Sequence, residues 1–404
     1  MKKTIKLALA ATMVLSATSA FATNGTNLIG YGAKSRAMGG TAISNFNGAE
    51  SAFANPALIT SSEKTMEATI GATILMPDVS VEADANANGN LTESLMPASN
   101  NSSTAGDGMV PAVAVINKIN DSFAWGLALY GVGGMGVDYR VETPDSAVTA
   151  FNSNDNLLLM RMSIPLAYTI AGFSIGIAPV IEYGALSMSE TFGTPGVTTD
   201  IKMGFEVGAA YSIAGVSLGL DYKSAISHDF VGTFNSDMTG GTQSKLDTPA
   251  VLGLGVSYSI AGSTIAFDYK NIAYGSAKGF EDFLWEDQSV FALGYEFAAE
   301  SWAVRAGYNY GASPLATDIA ADGSNMMPVV GSLFMFPAVT ESHYTVGGSY
   351  NFNQNISADL AFMYATGSAT AATPDFTLGG GFPAGEITAT NDQTALSFAL
   401  NYAY

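Results

Sequence analysis

Residues 394–404 read TALSFALNYAY. Leu396, Phe398, Leu400, Tyr402 and Tyr404 fall on one face of an extended chain, and Ala395, Ser397, Ala399, Asn401 and Ala403 on the other. Side chains of a strand alternate between faces with period 2. A final strand that is apolar outside, small or polar inside, and aromatic at its end fits a barrel wall in lipid. It also resembles the terminal signal read by the outer-membrane assembly machinery. The pattern recurs upstream. Trp302, Val304, Ala306, Tyr308 and Tyr310 oppose Arg305 and Asn309. Tyr344, Val346, Tyr350 and Phe352 oppose His343, Thr345, Ser349 and Asn351, and Ile356, Leu360, Phe362 and Tyr364 oppose Asn355, Ser357 and Asp359.

Fourteen such segments begin near residues 65, 109, 122, 156, 172, 201, 216, 247, 263, 286, 301, 341, 354 and 393. Their connections alternate between short turns, such as Ala171-Gly172, Ala214-Gly215 and Ala261-Gly262, and long loops, such as 77–108 and 312–340. Periplasmic turns and extracellular loops of outer-membrane barrels differ in this way, and an even strand number returns both ends to one side. The expected fold is all-β: a 14-stranded antiparallel transmembrane β-barrel. Asp78, Glu82, Asp84, Glu93, Asp107, Glu142, Asp145, Asp155, Asp318 and Asp322 fall in the long loops, where they read as a solvated surface or as a divalent-cation site beside lipopolysaccharide.

Composition agrees. Of 404 residues 48% are hydrophobic and 12% charged, the latter about half the usual ~25%. After residue 22 the apolar residues are spread singly, without the ~18-residue run of a membrane helix. Lys2, Lys3 and Lys6, the apolar run 7–16 and Ala20-Phe21-Ala22 compose a signal peptide over residues 1–22. Its removal takes three lysines from a chain of net charge −20, leaving −23. So acidic a surface excludes nucleic acid as a partner. The absence of cysteine suits an oxidising compartment.

Catalytic motifs fail on context. Gly131-Val-Gly-Gly-Met-Gly136 matches G-x-G-x-x-G, but strand-like Val137-Asp138-Tyr139 follows where a dinucleotide site needs a helix. Gly215-Val-Ser-Leu-Gly219 opens an alternating strand, whereas a nucleophile elbow joins a strand to a helix. The two histidines, His228 and His343, lack zinc-ligand spacing. No enzyme, cofactor or metal is expected.

The segment TNGTNLIGYGAKSRAMGGTAISNFNGAESAFANPALIT, from Thr23 onward, resembles the mature N-terminus of FadL/TodX-type outer-membrane transporters, with Arg36-Ala37-Met38-Gly39-Gly40 and a closing Asn55-Pro56-Ala57. Residues 109–134 resemble that family's second and third strands. The resemblance implies an N-terminal hatch over residues 23–64 inside a barrel of residues 65–404. It further implies passive uptake of long-chain fatty acids or similar hydrophobic compounds across the bacterial outer membrane. Capture at extracellular loops would be followed by an apolar lumenal pocket and lateral exit through a kink in the third strand. Aromatic-hydrocarbon uptake and, in another class, a general polar porin are the alternatives. By the same resemblance Asn55, Pro56 and Ala57 form the gate and meet that kink, and Gly131, Gly133, Gly134 and Gly136 mark it. Those glycines either bend the strand or merely lead into a loop. Arg161 and Arg305 fall on inward phases, where each faces either a ligand carboxylate or Glu182, Glu206 or Glu296. Leu157, Leu159, Val180, Val251 and Met363 point inward too. The partners expected are the hydrophobic ligand, outer-membrane lipid and lipopolysaccharide, and the assembly machinery, for a monomer.

Overall fold

The computed structural model describes residues 23–85, 102–140, 154–188, 196–234, 244–374 and 384–404. The segment 1–22 and Glu93, Glu142 and Asp145 lie outside them. The strands are β1 (Met66–Ala85), β2 (Gly108–Lys118), β3 (Phe123–Asp138), β4 (Asn154–Ser163), β5 (Leu166–Ile170), β6 (Phe173–Met188), β7 (Gly196–Ile213), β8 (Val216–Lys223) and β9 (Ile226–Asp229). They continue with β10 (Lys245–Thr248), β11 (Val251–Ile260), β12 (Ser263–Ile272), β13 (Gln288–Ala298), β14 (Trp302–Gly311), β15 (Ser342–Asn351), β16 (Ile356–Thr366), β17 (Ser368–Thr373) and β18 (Gly385–Ala403).

Four barrel strands are each divided in two: β4/β5, β8/β9, β10/β11 and β16/β17. The wall therefore has fourteen antiparallel strands, closed by β1 against β18 from Glu67↔Ala403 to Ala85↔Gly385. Closure removes sheet edges, which hydrocarbon does not tolerate. No helix among the described residues is long and apolar enough to cross a membrane.

Outward positions follow the alternation. On β11, Leu252, Leu254, Val256, Tyr258 and Ile260 are exposed, and on β18 Leu396, Phe398, Leu400 and Tyr402. Aromatics gather at both ends of the apolar band, as Trp302 and Tyr310 do on β14 and Tyr350 and Tyr344 on β15, the girdles of a membrane barrel. The turns Ala171-Gly172, Ala214-Gly215 and Ala261-Gly262 have positive φ at both residues, the type I′ geometry that matches the twist of a hairpin.

Several strands outrun the sequence expectation. β1 carries Asp78, Glu82 and Asp84, and β4 carries Asp155, which corrects their expected place in the loops 77–108 and 141–155. The apolar alternation reports only the length of strand in lipid, while the hydrogen-bond ladder continues into water. Among the described residues no acidic group is arranged to hold a metal ion.

Candidate functional site: hatch, β3 edge and mouth

Residues 23–62 have little regular structure, apart from one helical turn at Ala33–Ala37 and 3₁₀ turns at Gly48–Phe53 and Pro56–Ser61. Such a chain must find outside partners for its buried N–H and C=O groups. The wall supplies them from inward-facing polar residues. Asp268 Oδ2 accepts from the N–H groups of Ala42 at 2.7 Å and Ile43 at 3.0 Å. Lys270 Nζ donates to the carbonyls of Ile29 at 3.0 Å and Gly40 at 3.2 Å. Asn309 donates to the Gly39 carbonyl and Lys223 to that of Ala54. Contacts to strands all round the ring place this segment in the lumen.

A belt of inward-facing wall glycines makes room for it. A Cβ at Gly176, Gly208, Gly219, Gly294 or Gly307 would collide with hatch atoms between Met38 and Ala57. Inside the hatch, Glu50 accepts from the N–H groups of Ala33 at 2.9 Å and Lys34 at 3.0 Å. Burial, with the Asp359 carboxylate second, pushes Glu50 up to about 7. Burial brings the Arg36 guanidinium down to about 10.

Asn55 joins hatch to wall. Its Oδ1 accepts from Ala57 N–H at 3.0 Å, capping the 3₁₀ turn that Pro56 begins. Its Nδ2 donates to the carbonyls of Ile43 at 2.8 Å, Leu220 at 3.3 Å and Ala209 at 3.4 Å. The position of Asn55-Pro56-Ala57 corrects the expectation that it meets the kink of the third strand. Asn55 and Pro56 pack on β6 and β7 instead, where Gly176 and Gly208 leave space for the Pro56 backbone and ring and the Asn55 amide. Losing a cap costs about 0.5–2 kcal/mol, and buried carbonyls left unpaired cost about 1–3. Asn55→Ala should therefore loosen the hatch by about 2 kcal/mol. Amide exchange at Leu58 and Ile59 is expected to quicken about thirtyfold while β11–β16 stay protected. Unchanged exchange at Leu58 and Ile59 would refute that anchoring role.

The kink belongs to a different hatch segment. β2 and β3 pair only from Lys118↔Ala124 to Ala112↔Tyr130. Beyond Tyr130 the inside–outside alternation of β3 ends, and Tyr130–Val137 are all buried. Its register with β4 shifts between Gly131 and Gly133, leaving Val132 as an extra residue, the mark of a bulge. Gly134 and Gly136 continue on the β4 ladder. The β3 edge abandoned by β2 is taken up by the hatch. Asn27 bridges Gly133, Leu28 N–H donates to the Val132 carbonyl at 3.3 Å, and Gly134 N–H donates to the Thr26 carbonyl at 3.1 Å.

Above the hatch the lumen is filled by loops. The helix Met326–Met335 and residues 274–287 bring Phe280, Phe283, Trp285 and Phe334 into one apolar cluster with Leu157, Leu159 and Leu186 of the wall. Phe283 meets Phe336 edge-on, ring centres 5.7 Å apart. Between the hatch and wall strands β8, β11 and β12 lies a cavity of about 40 Å³ bordered by Asn27, Leu28, Tyr31, Lys223 and Lys270. Val180 and Met363 are buried, and Val251 packs on the mouth cluster.

Arg161 is buried and donates to Glu182 Oε2 from Nε at 2.9 Å and from Nη2 at 2.6 Å. Glu182 is also bonded by His228 at 3.0 Å and by Thr248. Arg305 pairs with Glu296 and donates to Ser349 Oγ at 2.6 Å. Lys223 is paired with Glu206 and Asp221. Ser217 bonds Ser212 across the β7–β8 pair. Sequence reading missed Asp268, Lys270, Lys223 and the glycine belt, whose one signal is charged residues and glycines on inward phases of otherwise apolar strands.

Comparison with known proteins joins these features. A family model for outer membrane protein transport proteins (OMPP1/FadL/TodX) matches residues 7–404. The chain belongs to the OMPP1/FadL/TodX family. It is accordingly an outer-membrane protein of a family that transports hydrophobic compounds. Solved FadL/TodX-type structures share its fold. A FadL homologue of Pseudomonas aeruginosa is 17% identical, with 94% of this chain and 99% of that chain covered and a TM-score of 0.71. The toluene transporter TodX of Pseudomonas putida gives 18%, 94%, 99% and 0.66, and the toluene transporter TbuX of Ralstonia pickettii 16%, 94%, 99% and 0.63. An uncharacterized protein in the phosphoenolpyruvate carboxykinase gene 5′ region of Chlorobium limicola is 45% identical over 82 residues, 20% of this chain and 40% of that protein.

Proposed function

We propose passive uptake of small hydrophobic compounds, captured at the mouth and released sideways into the membrane at the β3 edge. Residues 1–22 are removed on export, the assembly machinery inserts a monomer among lipid and lipopolysaccharide, and residues 23–64 remain as the hatch. The observation that carries this reading is the β3 edge: beyond Tyr130 β3 has no pairing with β2, and hatch residues cover it at Val132, Gly133 and Gly134. Gly131, Gly133, Gly134 and Gly136 form its rim, and Asn55, Pro56 and Ala57 hold the hatch that covers it.

Uncharged aromatic hydrocarbons are the ligand class we favour. The mouth cluster is rich in aromatic rings, which suit offset and edge-on packing. Arg161 and Arg305, for which the sequence leaves open a ligand carboxylate or an inward glutamate, are bonded to Glu182 and Glu296. A long-chain fatty acid is the second reading, in which its carboxylate displaces one of those glutamates. Removing one member of a buried pair costs about 3–5 kcal/mol, whereas replacing both by apolar residues is close to neutral. The test is therefore the double variant Arg161→Met/Glu182→Leu in proteoliposomes. Uptake of labelled toluene should persist at the parental rate, and the variant should treat oleate as the parent does. Loss confined to oleate would favour the fatty-acid reading, and ready passage of sugars through the parent would contradict the hatch.

A further inference from the structure

Tyr274, just past the end of β12, is fully buried and its hydroxyl meets the first hatch residues. Thr26 N–H donates to Oη at 2.6 Å and Asn27 Nδ2 at 3.1 Å, and the phenol donates to the Asn24 carbonyl at 3.0 Å. The hydroxyl of Thr26 lies 3.1 Å away. Gly25, at φ +60°, lies against the ring, with no room for a Cβ. Burial pushes this phenol up to about 12, so it keeps its proton. Thr26 and Asn27 also cover β3 at Gly133 and Gly134. One short peptide is thus held from both sides, by the β3 edge and by a single side chain.

The same ring belongs to the mouth. It lies 4.9 Å from Trp285 and 5.4 Å from Phe280, centre to centre. Trp285 Nε1–H in turn donates to Ser332 Oγ in the helix Met326–Met335, at 3.1 Å. A continuous set of contacts runs from that helix through Trp285 and Tyr274 to Thr26 and the β3 edge.

We infer that Tyr274 is a positioning residue, a latch that keeps residues 24–27 on the β3 edge and ties that cover to the aromatic mouth. This rests on the β3 edge as the proposed exit, and a ligand that wedges apart the Trp285–Tyr274 contact would release the cover. Tyr274→Phe keeps the ring and its edge-on contacts and removes only the hydroxyl's bonds.

Because the chain has no cysteine, Leu28→Cys makes a clean reporter: Leu28 is buried and belongs to an apolar cluster with Leu75, Val110 and Met363, separate from the one that holds Tyr274. Its labelling by a small charged methanethiosulfonate is followed in proteoliposomes without ligand, in the parent, Tyr274→Phe and Gly25→Ala backgrounds. The second variant forces the peptide off the ring from the other side. Labelling about tenfold faster in both is expected, with heat-modifiable mobility of the barrel unchanged. Parental labelling rates in both variants would overturn the latch. The assay involves no transport, so a failure of the proposed exit would leave its outcome unaffected.

Discussion

Gly219→Val should open a pore. Gly219 lies on β8 between Ala210 of β7 and Gly255 of β11, and its inward side touches the Ile43 carbonyl of the hatch. A Cβ there would overlap that carbonyl and come within 3.0 Å of Ser44 Cα. Either the wall or the hatch must yield. The wall strand is laddered on both sides, whereas the hatch near Ile43 is held by side-chain bonds from Asp268, Asn55 and Ser257. The hatch therefore moves. Overpacking costs about 1–3 kcal/mol even when side chains can adjust, and here the obstruction is backbone, so the cost lies at or above the top of that range. A fourteen-stranded barrel without its filling has an aqueous lumen. Planar-bilayer recordings should show steady ion conductance in the variant against a closed parent, with barrel mobility on cold gels unchanged. Parent-like closure of Gly219→Val would show that the wall, not the hatch, accommodates the side chain.

How much of this was legible follows from the range of each interaction. The lipid-facing pattern is a property of a strand alone, so Leu396, Phe398, Leu400 and their counterparts mark the wall without knowledge of any neighbour. Inward positions are defined by what lies across the lumen. Asp268 and Lys270 read as two charges on a strand until Ile43 and Ile29 are seen above them. The aromatic mouth was illegible for a related reason. Phe280, Phe283 and Trp285 sit in a connection with no period of its own, and only their meeting with the helix Met326–Met335 makes a core. Asn55-Pro56-Ala57 reads correctly as a turn, since Pro56 fixes φ and Asn55 caps. Its partner was misplaced because a turn's own residues say nothing about which strand it lands on.

The β3 edge shows the same limit from the other side. Four glycines in six residues mark weakened pairing, and the bulge at Val132 is where they place it. Nothing in those residues indicates that Thr26–Leu28, more than a hundred positions earlier, complete the ladder. Nor does the sequence show that residues of β2 before Ala112 leave β3 unpaired.

The most direct test of lateral exit is a reversible staple across that edge. The built Cβ of Gly131 lies 3.6 Å from Val110 Cβ, within the ~3.5–4.5 Å that a disulfide requires. Val110→Cys/Gly131→Cys would therefore join β2 to β3 just past their last paired rung in a chain with no other cysteine. Ala114→Cys/Ala128→Cys, on a rung already paired, is the control. Uptake of labelled toluene into proteoliposomes should fall at least about tenfold when the first pair is oxidised and recover on reduction, while the control transports in both states. Undiminished uptake by the fully oxidised Val110–Gly131 staple would contradict exit at the β3 edge.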